Sequence, residues 1–431
     1  MLQNYLKMAW KVLLRRKLFT FISLFGISFT IFILMVAISY LDSMISPKGP
    51  EGKQNRILHT GNIIVRNGQS MRSSSSSYYF MNKYALTLKT PELVSVFSEG
   101  RYYTYKNNKK FFFNYRCADQ NFWRIFDFDF INGKPYGQRE CDNSDRVAVI
   151  SKSTAENYFG TTNAVGMEID FRGKMFKVIG VVSDVPEAND HTYSDLWIPI
   201  SFTENYSKTE SYFGGCNAAM LAYSADDLMK IKQEFHKQLK TALASMPGGT
   251  DKSTLKCVLK TRLELLAKDL LSEYDDFNAD PESTKNDVFV EPGGVSSTVK
   301  AMSIISGIMF LFMLLPALNL ININLSRIME RSSEIGVRKA FGASRNALVK
   351  QFIVENLALT FIGGAISLIL TLIAFSIINK SGLIVNTELT LNFNVFIISI
   401  MVCVIFGFIA GVFPAYKMSK LNPVESLRGG E

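Results

Sequence analysis

Between two long apolar runs lies a short charged stretch, Glu330–Arg345, ERSSEIGVRKAFGASR. Its residue types suit contact rather than catalysis. Glu334 and Arg338 are four apart, so one helix face holds them as an ion pair. Val337 and Phe341 have the same spacing and share an apolar side that can anchor in a partner's cleft. Ser332 or Ser333 can cap such a helix, and Glu334 sits in the first turn, where a negative charge is favoured. Gly342 ends it, and Ser344 can cap whatever helix follows. The spacing predicts a short rigid helix from about Ser333 to Phe341, between two breaks and joined to the next apolar segment. Such a piece can receive a push and pass it on. From charge alone, an ordinary basic interfacial loop reads as well.

Other chemistry is hard to find in this chain. No G-x-x-x-x-G-K-[ST] occurs; Gly248-Gly249-Thr250-Asp251-Lys252-Ser253 lacks the glycine before the lysine. There is no nucleophile elbow, no H-E-x-x-H and no G-x-G-x-x-G. Asp226-Asp227 and Asp275-Asp276 fall at helix termini, where capping and solvation explain them. His59, His191 and His236 show no metal-ligand spacing. Cys403 lies in an apolar run, while Cys117, Cys141, Cys216 and Cys257 show no C-x-x-C. One or two disulfides, or free buried thiols, both fit those four. No catalytic residue, metal or cofactor is expected, so the chain reads as a non-catalytic subunit.

The elements that must position the charged stretch are membrane spans. Leu18–Leu41 is a run of uncharged residues, long enough as a helix to cross about 30 Å of hydrocarbon. Further runs cover 301–326, 351–379 and 395–415. The first follows a basic segment but is too long for a signal-peptide core, and no A-x-A-like site follows it. Segments 1–17, 327–350 and 415–431 carry 5, 6 and 3 Lys or Arg against 0, 2 and 2 acidic residues. The formal net charge of +9 is therefore local to the ends of the spans. That is the positive-inside pattern of a membrane protein, not a nucleic-acid footprint. It places both termini and 327–350 in the cytoplasm, with 42–300 and the short loop 380–394 outside. Residues 2–16 read as a basic amphipathic helix on the inner surface, or as an extension of the first span. Domains are expected at 1–17, 18–41, 42–300, 301–326, 327–350, 351–379, 380–394, 395–415 and 416–431. Within the first span, Gly26 and Thr30 are spaced for close helix approach, as are Gly407 and Gly411 in the fourth. Pro316 kinks the second, and Asn319 and Asn322 lie near its inner end. No span has an ionisable residue near its centre, so no proton or ion path is indicated.

Residues 42–300 are large enough for a core of their own and read as α+β. Strands are expected at 110–118, 146–150, 168–171, 177–182 and 196–200, with turn signals at Asn132-Gly133 and Arg172-Gly173. Helices are expected at Lys152–Tyr158, at about Asp226–Ala244 behind a Ser224 cap, and at about Thr261–Tyr274. The serine run 73–77 reads as a flexible loop, and 291–297 as a linker. The fold class is a membrane α-helical protein with four transmembrane helices and a large α+β extracytoplasmic domain.

The stretch RSSEIGVRKAFGASRNALVKQFIVEN at 331–356 resembles the signature loop of FtsX-like ABC-transporter permeases of the MacB/LolC type, roughly R-x-x-E-I-G-x-R-[KR]-A-x-G-A. Arg331, Glu334, Ile335, Gly336, Arg338, Lys339, Ala340, Gly342 and Ala343 occupy that pattern. Residues 4–31 resemble the family's N-terminal helix and first span, 146–186 its MacB-like periplasmic core, and 413–431 its C-terminus. The match is weaker over 42–100 and 201–290. The resemblance implies a subunit of a homo- or heterodimer in the bacterial inner membrane that recruits two copies of a cytoplasmic ABC ATPase. It implies mechanotransmission of the type VII kind, in which ATP hydrolysed by that partner moves or extracts an amphiphile such as a lipoprotein or peptide. Arg331, Glu334, Ile335, Gly336, Val337, Arg338, Lys339, Phe341 and Gly342 would form the ATPase-coupling site. Because the first span begins so early, the ATPase is expected on a separate chain. Membrane lipid is an expected partner and nucleic acid is not, and the resemblance leaves room for a periplasmic adaptor or lipoprotein. A transmembrane signal transducer that regulates a periplasmic hydrolase or senses antimicrobial peptides is the rival reading.

Overall fold

The computed structural model describes residues 17–45, 49–67, 70–187, 189–203, 206, 210–246, 253–271, 299–308, 310–311, 345–381 and scattered positions from 389 to 408. The expected amphipathic helix 2–16, the linker 291–297, Pro316, Asn319, Asn322, Gly407, Gly411 and the tail 416–431 lie outside these. The chain divides into two compact units. One combines Met1–Ser43 with Ser303–Ile384 and Glu388–Glu431, and the other is Met44–Met302 with Val385–Thr387.

In the first unit, α1 spans Lys17–Ile45. A second long helix, Arg345–Ser381, belongs to the same unit. Within these two, Thr20–Ser43 and Ile353–Ser381 are long and apolar enough to cross a membrane. The runs expected at 301–326 and 395–415 are described only in part, the former as the short apolar helix Val299–Ile308. One side of α1 keeps Phe21, Phe25 and Phe29 exposed. The other buries Ile27, Ile31 and Met35 against Leu359 of the long helix. Small residues let the two backbones approach. A Cβ added at Gly363 would lie 2.7 Å from Ile27 Cγ2. Ser367 and Thr371 are fully buried and bond back to their own helix, at the Gly364 and Ser367 carbonyls. Asn379 gives and takes one hydrogen bond with the Leu389 backbone, at 3.1 and 3.0 Å.

The second unit is built on one mixed sheet. Its strands are β1 Ile57–Asn67, β2 Ser70–Ser74, β3 Leu93–Lys106, β4 Lys109–Ala118, β5 Phe130–Gly133, β6 Val147–Ser151, β7 Glu168–Phe171, β8 Lys174–Val182, β9 Leu196–Pro199, β10 Cys216–Leu221 and β11 Ser253–Lys260. In the described residues the order is β11-β1-β10-β3-β4-β9-β6-β8-β5, with β2 on β1 and β7 on β8. Its helices are α2 Tyr78–Tyr84, α3 Phe122–Ile125, α4 Gln138–Asp142, α5 Lys152–Thr154, α6 Leu228–Ala244 and α7 Arg262–Leu271. The long helix Arg345–Ser381 is then α8.

Alternation along the strands sorts side chains into three cores. Leu58, Val96, Ala218 and Met220 face α2 and α6, where Ile231, Phe235 and Leu239 form the buried stripe. Farther along the same face, Cys117, Ile150, Val178 and Ile198 pack with Ala155 and Tyr158. On the opposite face Ile57, Phe97, Ala118 and Trp197 pack with Phe122, Phe126 and Tyr136. Tyr115 reaches across its neighbour strand because position 100 is glycine. A Cβ there would meet the Tyr115 hydroxyl at 2.5 Å.

Several local expectations are corrected. The serine run is ordered: Ser70–Ser74 form a strand, and Ser77 caps α2 by accepting from Phe80 N at 3.0 Å. The helix expected over Lys152–Tyr158 is α only to Thr154 and continues as a π-helical turn over Ala155–Phe159, ended by Gly160 at φ 78°. Ser224 does not cap α6. Its hydroxyl bonds Asp227 Oδ2 at 2.8 Å, and a 3-10 turn, Ala225–Asp227, precedes the helix. Of the two readings left open for the outer-domain cysteines, buried thiols hold: all four are buried and none is in a disulfide. Cys216 and Cys117 lie two strands apart, both registered against Ser98, so β3 keeps them beyond disulfide reach. Burial pushes the Cys216 and Cys141 thiols up to about 12.

Candidate functional site

Arg331, Glu334, Ile335, Gly336, Val337, Arg338, Lys339, Phe341 and Gly342 lie outside the described residues. What is described is the element they lead into. Helix α8 starts at Arg345, the last residue of the charged stretch, and continues without a break to Ser381. At 1.5 Å per residue this rod is roughly 55 Å long.

A second constellation, which sequence spacing does not reveal, lies in the outer domain where the chain comes in and where the last described helix of the domain begins. Arg116 on β4 is buried and lies 4.9 Å over the Phe97 ring. Its Nη2 donates to Glu99 Oε2 at 2.9 Å, to the Asp190 carbonyl at 2.7 Å and to the Tyr193 carbonyl at 3.3 Å. Burial lowers the affinity of this guanidinium for its proton, and Glu99 and Asp190 restore part of it. His59 on β1 stacks on His191 with centroids 3.8 Å apart, and His191 meets Phe97 edge-on. Burial depresses His59 to about 3 and His191 well below its ordinary value, and nearby charges on Arg116 and Arg262 act in the same direction. Both rings are therefore neutral.

Glu51, on the 3-10 turn Gly49–Glu51, is buried and accepts from Thr192 Oγ1 at 2.9 Å. Burial raises its carboxyl pKa, while the charge of Arg262 at the start of α7 opposes the rise. Lys53, two residues on, reaches Asp127 at 2.7 Å and the Arg124 carbonyl at 3.2 Å. The other side is tied as firmly. Thr261 and Glu264 form a capping box, with Thr261 N to Glu264 Oε2 at 2.7 Å and Glu264 N to Thr261 Oγ1 at 3.3 Å. Glu264 also receives Lys232 of α6 at 3.0 Å. Incoming chain, sheet, the 190–193 loop and the last described helix thus meet in one charge-bearing knot.

The knot ties four parts of the domain together through hydrogen bonds, ring stacking and buried charge. Its histidines stack rather than converge on a point. Among the described residues no group of three or more His, Cys, Asp or Glu is arranged to hold a metal ion. In sequence it could not be seen, because strand pairing brings together residues far apart in the chain. Arg116 was legible only as one basic residue in a strand.

Comparison with known proteins matches two family models to the chain. The family model for the MacB-like periplasmic core domain matches residues 20–237, and that for the FtsX-like permease C-terminal region matches 306–423. The ABC transporter permease YknZ of Bacillus subtilis (strain 168) is 24% identical over 297 residues, covering 69% of this chain and 65% of the relative. The macrolide export ATP-binding/permease protein MacB of Pasteurella multocida (strain Pm70) is 22% identical over 306 residues, covering 71% of this chain and 41% of the relative. The chain thus spans less than two thirds of the length of either. The solved periplasmic region of MacB from Actinobacillus actinomycetemcomitans aligns with a TM-score of 0.39 at 16% identity, over 54% of this chain and 99% of that one. With the periplasmic-core model covering half of the sequence and the permease model most of the remainder that follows 306, the chain belongs to the FtsX-like, MacB-type family of ABC transporter permeases, membrane-embedded proteins with a periplasmic domain.

Proposed function

We propose that this permease works by mechanotransmission. Two copies of the membrane subunit, or this chain and a related one, recruit two copies of a separate cytoplasmic ATPase. ATP-driven closure of the ATPase pair pushes on Glu330–Arg345, and the push travels through the membrane helices to the outer domain. There it drives export or extraction of an amphiphile, such as a lipoprotein or peptide, at the outer side of the inner membrane. The chain crosses the membrane four times in this reading, with both termini in the cytoplasm. An export role is in keeping with the macrolide export named for one relative.

The observation that carries this reading is the continuity of α8 from Arg345 to Ser381. A push delivered at its first residue meets an unbroken hydrogen-bonded rod, because no Pro interrupts it. The test is the double substitution Glu334→Ala with Arg338→Ala in the full chain. Transport and copurification of the ATPase are expected to fall together, while the outer domain keeps its protease resistance. Normal ATPase recruitment and normal transport in that variant would sink the proposal.

A further inference from the structure

The long hairpin of β3 and β4 ends in a two-residue turn, Asn107-Asn108, with φ of 50° and 62°. Two successive left-handed residues match the right-handed twist of the strands and hold a tight, defined tip. One face of the arm is held from behind. Tyr102 and Thr104 both donate to Asp170 Oδ2, at 3.0 and 2.7 Å, and Lys106 Nζ donates to the Tyr158 carbonyl at 2.9 Å. The other face is bare. On it Tyr103 pairs with Phe112 and Tyr105 with Lys110, and the three aromatics are 52%, 69% and 65% exposed in the order Tyr103, Phe112, Tyr105. Tyr103 lies 6.0 Å from Phe112 and 6.1 Å from Tyr105, and Lys110 Nζ sits 4.3 and 4.6 Å over the Tyr103 and Phe112 rings.

Single exposed apolar residues are ordinary, but three aromatics in contact on an arm braced from behind are not. The charge is equally one-sided. At its exposed positions the arm carries Arg101, Lys109 and Lys110, and from Gly100 to Arg116 the sequence has no Asp or Glu. Aromatic anchors with a cationic rim are the composition of a protein-binding hot spot. A bilayer is the poorer occupant. The tip reads Lys106-Asn-Asn-Lys-Lys110, so burying the set-back rings in hydrocarbon would drag the hydrated ammonium groups in first. A second copy is also poorer, since a two-fold contact would set one basic arm against another.

We propose that the bare face of this arm docks a second protein, on the same side of the membrane as the outer domain, that presents carboxylates around an apolar strip or pocket. The rings fill the apolar part, while Arg101 and Lys110 pair with the carboxylates. The inference does not depend on the mechanical reading of transport.

The test places p-benzoylphenylalanine at Phe112 or Tyr105 in the full-length chain in its own cells, with Met229 on α6, 53% exposed, as the control position. Light should give an adduct of one defined mass from 112 and 105 and none from 229. Sequencing of the cross-linked peptide should show Asp or Glu beside apolar residues, in a chain other than this one. Lys110→Glu with Arg101→Glu, both exposed and folding-neutral by thermal unfolding, should cut adduct yield by about tenfold. Absence of any adduct, adducts only with lipid, adducts only with a second copy of this chain, or an unchanged yield after charge reversal would each overturn the proposal.

Discussion

Protonating either ring of the His59–His191 stack would place a third cation beside Arg116 and Arg262 in a site largely shielded from water. His59 titrates near 3 when folded and near 6.5 when free, so the unfolded chain takes up its proton first. The pair's contribution to stability is therefore whole above about pH 6.5 and is lost as pH falls toward 3. The slope is about 1.4 kcal/mol per pH unit for each histidine. Glu51, raised above 4.5, and Asp119, pushed up to about 6, act in the opposite sense, because the folded protein holds their protons more tightly. Between pH 6.5 and 6 the histidines act without Asp119, so the decline should begin there. We expect the unfolding midpoint of the outer domain, followed by tryptophan fluorescence, to drop from pH 7 to pH 6. His59→Phe with His191→Phe should flatten that limb. A parent midpoint that does not move over this interval would mean that the rings are not held neutral by burial.

At the scale of elements, the contact between α1 and α8 rests on the absence of a side chain at Gly363. Gly363→Ala would bring a Cβ to 2.7 Å from Ile27 Cγ2. Because Ile is β-branched, that methyl cannot swing away without leaving its rotamer. Overpacking of this kind costs about 1–3 kcal/mol. The single variant should melt earlier in detergent, and Ile27→Ala in the same chain should restore the midpoint; failure of that rescue would place the strain elsewhere. Both helices were legible in the sequence, since a long uncharged run has few other solutions. The outer-domain strands were half legible. β7 was placed residue for residue, and Arg172-Gly173 turned as its composition demands, with φ of 51° and 73°. β1, β2, β3, β5, β10, β11 and the helices α2, α3 and α4 were not foreseen. The strand Ser70–Ser74 is made of residues with little pull toward either state, and it is ordered because Ile63–Asn67 offers a partner edge. Propensity cannot report a neighbour that arrives from elsewhere in the chain.

For the whole molecule, the coupling site proposed at Arg331–Gly342 is a reading of sequence pattern, open to inspection because its residues lie close together in the chain. The knot of Glu51, His59, Arg116, His191 and Arg262 was not legible in that way, since only the fold assembles it. Membrane sidedness rested on charge at the ends of the apolar runs, and labelling tests it directly. A membrane-impermeant maleimide should modify Ser73→Cys, at an exposed site of the outer domain, in intact spheroplasts. Ser332→Cys should react only after the membrane is opened, and labelling of both in intact spheroplasts would refute the cytoplasmic placement of 327–350. The four outer cysteines are buried and give little background.

The knot also bears on descent. The segment that begins the outer domain and the last described helix of that domain are held at one place, through Glu51 and Arg262 on either side of the same buried cluster. The chain between Glu51 and Arg262 thus leaves and returns at one place, so stretches within it can be lengthened, trimmed or exchanged without disturbing that meeting point. Selection can then refit the outer part to a new task while the ATP-linked machinery stays as it was, and the five residues of the knot are where such a graft would have to match.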